Sequence, residues 1–208
     1  MEIHFANPNF ANLSFSEETY VTDNSDGNTK RILATYDNTV NPEFFAVLFP
    51  CIGTGSDPSF NLTKLEIANG LGAKLGWTTG IEDYIFYKRD GESISSQNIE
   101  SNGKFALIRK NSGVLNKFSL SEGSSLVIDG INIVTSDAEG ISAASDGHTI
   151  SVSDPDASYV IYGPNVTSVL NNEREAVGFE RYLNYVYINT EAPADTTPPA
   201  AVNNLTAR

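Results

Sequence analysis

Cysteine occurs once, at Cys51, so neither an internal disulfide framework nor a thiolate metal cage can hold this chain together. Histidine occurs twice, at His4 and His148, far apart in the chain. The H-x-x-x-H and C-x-x-C pairs that mark a zinc site are missing. Positive charge is scarce: 13 Lys and Arg stand against 26 Asp and Glu, a net charge of −13. That balance argues against nucleic acid and anionic membrane surfaces as partners. No apolar run approaches the roughly 20 residues that cross a bilayer, so no membrane span is expected. The first residues show no basic stretch followed by an apolar one, so no signal peptide is read there. On that reading the chain is either cytoplasmic or a piece of something longer. A serine hydrolase would need G-x-S-x-G between a strand and a helix; Gly53-Thr54-Gly55-Ser56-Asp57 comes nearest, but Pro58 follows and no helix does.

Helical periodicity is nearly absent too, and what replaces it is alternation. The 208 residues, 40% of them apolar, suffice to bury a core as one large all-β domain or two small ones. Residues 30–36 (KRILATY) and 43–49 (EFFAVLF) are strand-length runs rich in β-branched and aromatic side chains. Residues 84–88, 104–109, 126–128, 131–135, 148–152, 159–162, 166–170 and 182–188 continue the style. Asp26-Gly27, Asn69-Gly70, Asp90-Gly91, Asn102-Gly103, Asp129-Gly130 and Asp146-Gly147 punctuate them. Asx-Gly tolerates positive φ at both central positions, as the tight type I′ hairpin turn requires. The clearest case is residues 126–133, two short strands around Asp129-Gly130, and residues 143–150 are a second. The expected fold is an all-β, antiparallel β-sandwich of many short strands joined by Asx-Gly hairpins. Gly70, Gly72 and Gly76 form G-x-G-x-x-x-G, but Trp77-Thr78-Thr79-Gly80 follows instead of a helix. These glycines read as places where a strand bends or bulges, not as a nucleotide cradle.

Residues 191–199 (EAPADTTPP) are polar and proline-rich, which favours an extended linker. Residues 195–202 (DTTPPAAV) with Asn204-Leu205-Thr206-Ala207 resemble the opening of fibronectin type III modules in secreted bacterial carbohydrate-active enzymes. The expected organisation is a β-sandwich domain at 1–190, a linker at 191–199 and the truncated start of such a module at 200–208. The resemblance implies a multidomain parent located outside the cell or on its surface.

A second resemblance covers roughly residues 30–135. Residues 44–50 (FFAVLFP), 83–87 (DYIFY), 101–109 (SNGKFALIR) and 126–130 (LVIDG) are similar to strands and hairpins in the C-terminal β-sandwich of heparinase II/III-type polysaccharide lyases. That family joins an (α/α) toroid to antiparallel sheet domains. It cleaves acidic polysaccharides by β-elimination, with Tyr or His as base and acid. Neither the toroid nor the histidine-containing opening of the central sheet domain has a counterpart here, and no residue matches a catalytic position. The resemblance therefore implies a non-catalytic supporting module, whose partners are the catalytic domain of the same parent chain and, through it, a polysaccharide.

Few side chains remain as candidates for chemistry. His148 follows an Asp-Gly turn and is expected at a hairpin mouth, exposed; it or His4 would be the base of a free-standing enzyme. Residues 23–28 (DNSDGN) and Asp154-Pro155-Asp156 leave a loop calcium ion open, although the first departs from the EF-hand pattern and both are good turns. The aromatics offer sugar binding, since an exposed ring stacks on the apolar face of a pyranose. Trp77, Tyr84 and Tyr87 lie close together in sequence, as do Tyr182, Tyr185 and Tyr187. In an alternating strand one face must bury, so Phe86 and one neighbouring Tyr are expected in the core. Lys104, Arg109, Lys110 and Lys117 fall on adjacent strands and would form a basic patch despite the net charge. The alternative to a supporting module is thus a carbohydrate-binding module using Trp77, Tyr84, Tyr87, Lys104 and Arg109.

Overall fold

Alternating apolar residues need a surface on each side of the strand that differs, and from Phe60 onward the chain builds two such surfaces and presses them together. The computed structural model describes residues 60–191 apart from 90 and 92, and four earlier strands, β1 (Glu2–Phe5), β2 (Leu13–Val21), β3 (Asn28–Tyr36) and β4 (Ala46–Phe49). β1 pairs with β4, and β2 with β3, as two antiparallel ladders of two strands each. Residues 192–208, which include most of the expected linker and the module start, lie outside the described residues, as do 22–27 and 50–59.

Fifteen further strands follow. They are β5 (Phe60–Leu65), β6 (Gly70–Trp77), β7 (Ile81–Lys88), β8 (Ile94–Ser96), β9 (Ile99–Ser101), β10 (Phe105–Asn111), β11 (Val114–Ser121) and β12 (Ser125–Ile128). Then come β13 (Ile131–Ser136), β14 (Ala143–Ser145), β15 (Thr149–Val152), β16 (Tyr159–Tyr162), β17 (Ser168–Asn171), β18 (Glu180–Tyr182) and β19 (Tyr185–Ile188). No helix occurs among the described residues. The first sheet has eight strands in the order β17-β15-β14-β11-β10-β7-β6-β5, and the second seven, β18-β19-β16-β13-β12-β9-β8. The fold is a β-sandwich.

Its order has a simple rule. Each hairpin lies in the sheet opposite its predecessor: β6–β7 in the first, β8–β9 in the second, β10–β11 in the first, β12–β13 in the second, β14–β15 in the first. A lone hairpin leaves one apolar face bare, and here the next hairpin covers it from across the core. Every described sandwich pairing is antiparallel except β15 with β17, because only one strand, β16, is laid in the second sheet between them. The inward faces meet in one cluster. Ala106, Ile108, Phe118 and Leu120 from the first sheet, with Leu126, Val134, Ile161, Val186 and Ile188 from the second, are all buried in it.

The alternation also gives the sandwich two unlike ends. Most hairpin turns gather at one, the turn end, which the β16–β17 crossover shares; at the other, the crossover end, the chain otherwise passes between sheets and β5 turns into β6. Asp129-Gly130 turns as expected, with φ of 52° and 77°. Among the described residues the other tight turns with two positive φ angles are Gln97-Asn98 and Ser112-Gly113, which the Asx-Gly pattern does not reveal. Asn102-Gly103 belongs to a crossover, and neither residue has a positive φ. Gly70 opens β6, where a Cβ would run into the carbonyl oxygen of Tyr87 on the neighbouring strand. Residues 182–188, expected as one strand, divide at Leu183-Asn184 into β18 and β19, with Leu183 at a φ of 53°. β8 and β9, three residues each, are too short to stand out as alternation in the sequence.

Candidate functional site

The outer face of the first sheet carries an acidic residue where its neighbours are apolar. On β7 the side chains of Ile81, Asp83, Ile85 and Tyr87 point outward and those of Tyr84 and Phe86 inward, by the period of two. Register places Asp83 between Leu75 on β6 and Arg109 on β10. Its carboxylate accepts two hydrogen bonds from Arg109, from Nε at 2.6 Å and Nη2 at 2.8 Å. It accepts a third from the Trp77 indole Nε1 at 2.9 Å. Asp83 is 6% exposed, so it meets the rule that a buried charge be paired and hydrogen-bonded. The hydrogen bond with Asp83 raises the pKa of Arg109 above its ordinary value. Trp77 also packs on its cross-strand partner Phe60, ring centroids 4.9 Å apart and planes tilted by 48°. With Thr78, Thr79, Ile81 and Arg109 it lines a shallow hollow of about 250 Å³.

The five candidate sugar-binding residues do not converge. Trp77 and Arg109 share the Asp83 hub near the turn end. Tyr84 is on the opposite face, 5% exposed, which closes its ring to stacking by a ligand. Its hydroxyl donates to Glu82 at 2.9 Å, and Lys74 and Lys110 lie 5.3 and 5.6 Å from its ring centroid. Burial pushes the Tyr84 pKa up, while the hydrogen bond from Lys74 holds Glu82 below the usual carboxylate range. Tyr87 is the outward tyrosine, 39% exposed, near the crossover end, with Lys104 5.1 Å from its ring centroid. Phe86 and Tyr84 are thus the aromatic pair in the core.

The expected basic patch is divided in the same way. Arg109 and Lys117 face each other across β10 and β11 on the outer side. Lys110, one residue on, turns inward, is buried, and donates to Asp129 at 2.7 Å. Lys104 lies at the crossover end, donating to the carbonyl of Arg89. Tyr185 and Tyr187 share the half-buried outer side of β19, while Val186 and Ile188 supply its core face. His148 is exposed at a hairpin mouth as expected, its Nδ1 3.4 Å from the Asn165 carbonyl. His4 lies on β1, and its side chain is outside the described residues. Among the described residues no three His, Cys, Asp or Glu side chains gather to hold a metal. Asp154 instead accepts the backbone N–H of Asp156 and closes its own turn. The first calcium candidate, 23–28, lies outside the described residues but for Asn28. Among the described residues no helix is long and apolar enough to cross a membrane.

Asp83 is absent from the candidates read from sequence, yet it organises this face. Its signal is the phrase Ile81-Glu82-Asp83-Tyr84-Ile85, which sets an acidic residue at an outward position flanked by isoleucines. No family model matches the chain, and no curated protein is significantly similar to it.

Proposed function

We propose that this chain is a non-catalytic supporting β-sandwich module of a secreted polysaccharide-processing protein, whose parent resembles heparinase II/III-type lyases. One observation carries the reading: Asp83 ties down Trp77 and Arg109 together. A tryptophan held by its indole N–H and an arginine held by both arms of its guanidinium stiffen a sheet face. A ligand would have to compete with a buried carboxylate for the Arg109 guanidinium, and the Trp77 ring is half-buried and packed on Phe60. Tyr84 and Phe86, spent on the core, support the same reading. On this account the module packs against the catalytic part of its parent and holds it in place.

Trp77→Ala is the test. Trp77 is half-buried, so its loss is expected to cost about 2 kcal/mol, below the ~3–5 kcal/mol of a fully buried ring. Retention on affinity gels of neutral and acidic polysaccharides is expected to stay as in the parent chain. Unchanged melting with lost retention would reject the supporting role and favour a carbohydrate-binding module built on Trp77.

A further inference from the structure

At the turn end both facing strands carry a bulge. In β11 the extra residue is Asn116: Arg109 pairs with Lys117, and Lys110 with Leu115. In β13 it is Ile133: Leu126 pairs with Val134, and Val127 with Asn132. A bulge bends its strand and adds local twist. With one in each sheet at the same end, the layers part, and a cleft of about 340 Å³ opens between them. That volume falls in the range of small-ligand sites.

The floor of the cleft is apolar, formed by Phe118, Ile128 and Ile133, each at most 3% exposed. Its lips are Val114, 70% exposed, and Ile131, 43% exposed, two of the few large apolar side chains that the described residues leave in water. Around them stand exposed hydrogen-bonding groups: the amides of Asn116 and Asn165 and the imidazole of His148. Two carboxylates complete the wall. Asp129 holds Lys110 through Oδ2, and Asp146 holds the N–H groups of His148 and Thr149 through Oδ1; both are otherwise open to solvent. No lysine or arginine is among the described residues of the lining.

Each feature narrows the ligand. Asp129 is paired with Lys110, but Asp146 on a chain of net charge −13 leaves the rim acidic, so a uronate or sulfated sugar is disfavoured. A wholly apolar ligand would strip water from the carboxylates, amides and imidazole without replacing its hydrogen bonds. What fits has an apolar face for Val114 and Ile131, hydroxyls for the polar rim, and no negative charge. We propose that this cleft binds a neutral sugar residue, stacked against the aliphatic lips and held by hydroxyl contacts to Asp129, Asp146, Asn116 and Asn165. This site shares only one end of the molecule with Trp77 and does not depend on the supporting role.

The test is affinity electrophoresis of the full chain through soluble xylan, β-glucan and galactomannan, with alginate as the acidic control and an apolar peptide as competitor. At least one neutral polymer is expected to retard the chain. The double variant Val114→Asp/Ile131→Asp, which alters exposed side chains, is expected to lower affinity tenfold or more, and Trp77→Ala to leave it unchanged. Should the double variant melt early, Asn116→Ala replaces it, with a severalfold loss expected. The proposal is overturned if no neutral polymer retards the chain, if alginate retards it more strongly, if the peptide but no sugar binds, or if retardation survives the cleft variants.

Discussion

The two ends of the sandwich differ in which side chains supplement their main-chain bonds. At the turn end the ladders run almost to the last residue, and neighbouring turns join through main-chain bonds: Ser112 N–H to Gly80 C=O, Asp129 N–H to Asn98 C=O, Gly163 N–H to Asn184 C=O. At the crossover end main-chain bonds join neighbouring segments as well, Lys104 N–H to Glu122 C=O and Gly123 N–H to Ile141 C=O, and side chains add to them. Asn102 Oδ1 accepts the N–H groups of both Ser124 and Ser125, at 2.9 and 2.8 Å, while its Nδ2 donates to Ser124 Oγ. Ser153 Oγ accepts the N–H of Ser142, and Asn189 donates to the carbonyls of Pro155 and Ala157. A hairpin keeps both strands in one sheet, so its ladder continues into the turn. A crossover leaves the ladder, and its polar groups need other partners. The crossover end is therefore tightly specified, and a Cβ on Gly123 would strike the backbone of Gly103 there. The turn end has its own side-chain ties, Arg181 donating to the carbonyls of Gly163, Pro164 and Val166.

The sharpest break of this contrast is Asn102→Ala. It strands two backbone donors at a crossover, and a loss of about 3 kcal/mol is expected, read as a fall in the melting temperature of roughly 6–12 °C. A fall of a degree or two would mean that water serves those donors equally well.

Leu183→Gly works in the opposite direction at the turn end. Leu183 holds a φ of 53° while 77% exposed, so it bears left-handed strain and gives little burial in return. Glycine takes that conformation freely, and a gain of up to about 1 kcal/mol in a urea titration is expected. A loss would show that the leucine packs on something in solution.

The smallest effect concerns Asp146. Hydrogen bonds from the backbone N–H groups of Thr149 and His148 hold its pKa below the ordinary 3.8. Its folded pKa is thus depressed, so its contribution is present above the unfolded value and is lost as pH falls through the folded one. Because the side chain is exposed, Asp146→Asn is expected to cost only a few tenths of a kcal/mol at neutral pH. That gap should close in melts taken below pH 3.8. A gap that persisted in acid would assign the cost to shape and not to charge.

Much of the fold was legible in the chain because alternation and turn chemistry are local. Residues 159–162 form β16 with the expected bounds, and Asp129-Gly130 turns as its residue types demand. The candidate site was less legible. Tyr84 and Tyr87 are three residues apart, and alternation separates their faces without saying which is inward; Lys110 differs from Arg109 by the same one-residue flip.

By itself, the sequence determined an all-β chain, its short strands, several of its hairpins and an acidic surface, since each follows from neighbours along the chain. Only the tertiary structure decided that Trp77, Asp83 and Arg109 meet, because that requires β6, β7 and β10 side by side in one register. The cleft was decided there too. A bulge is one extra residue in one strand relative to its partner, and no strand carries that information until it is paired.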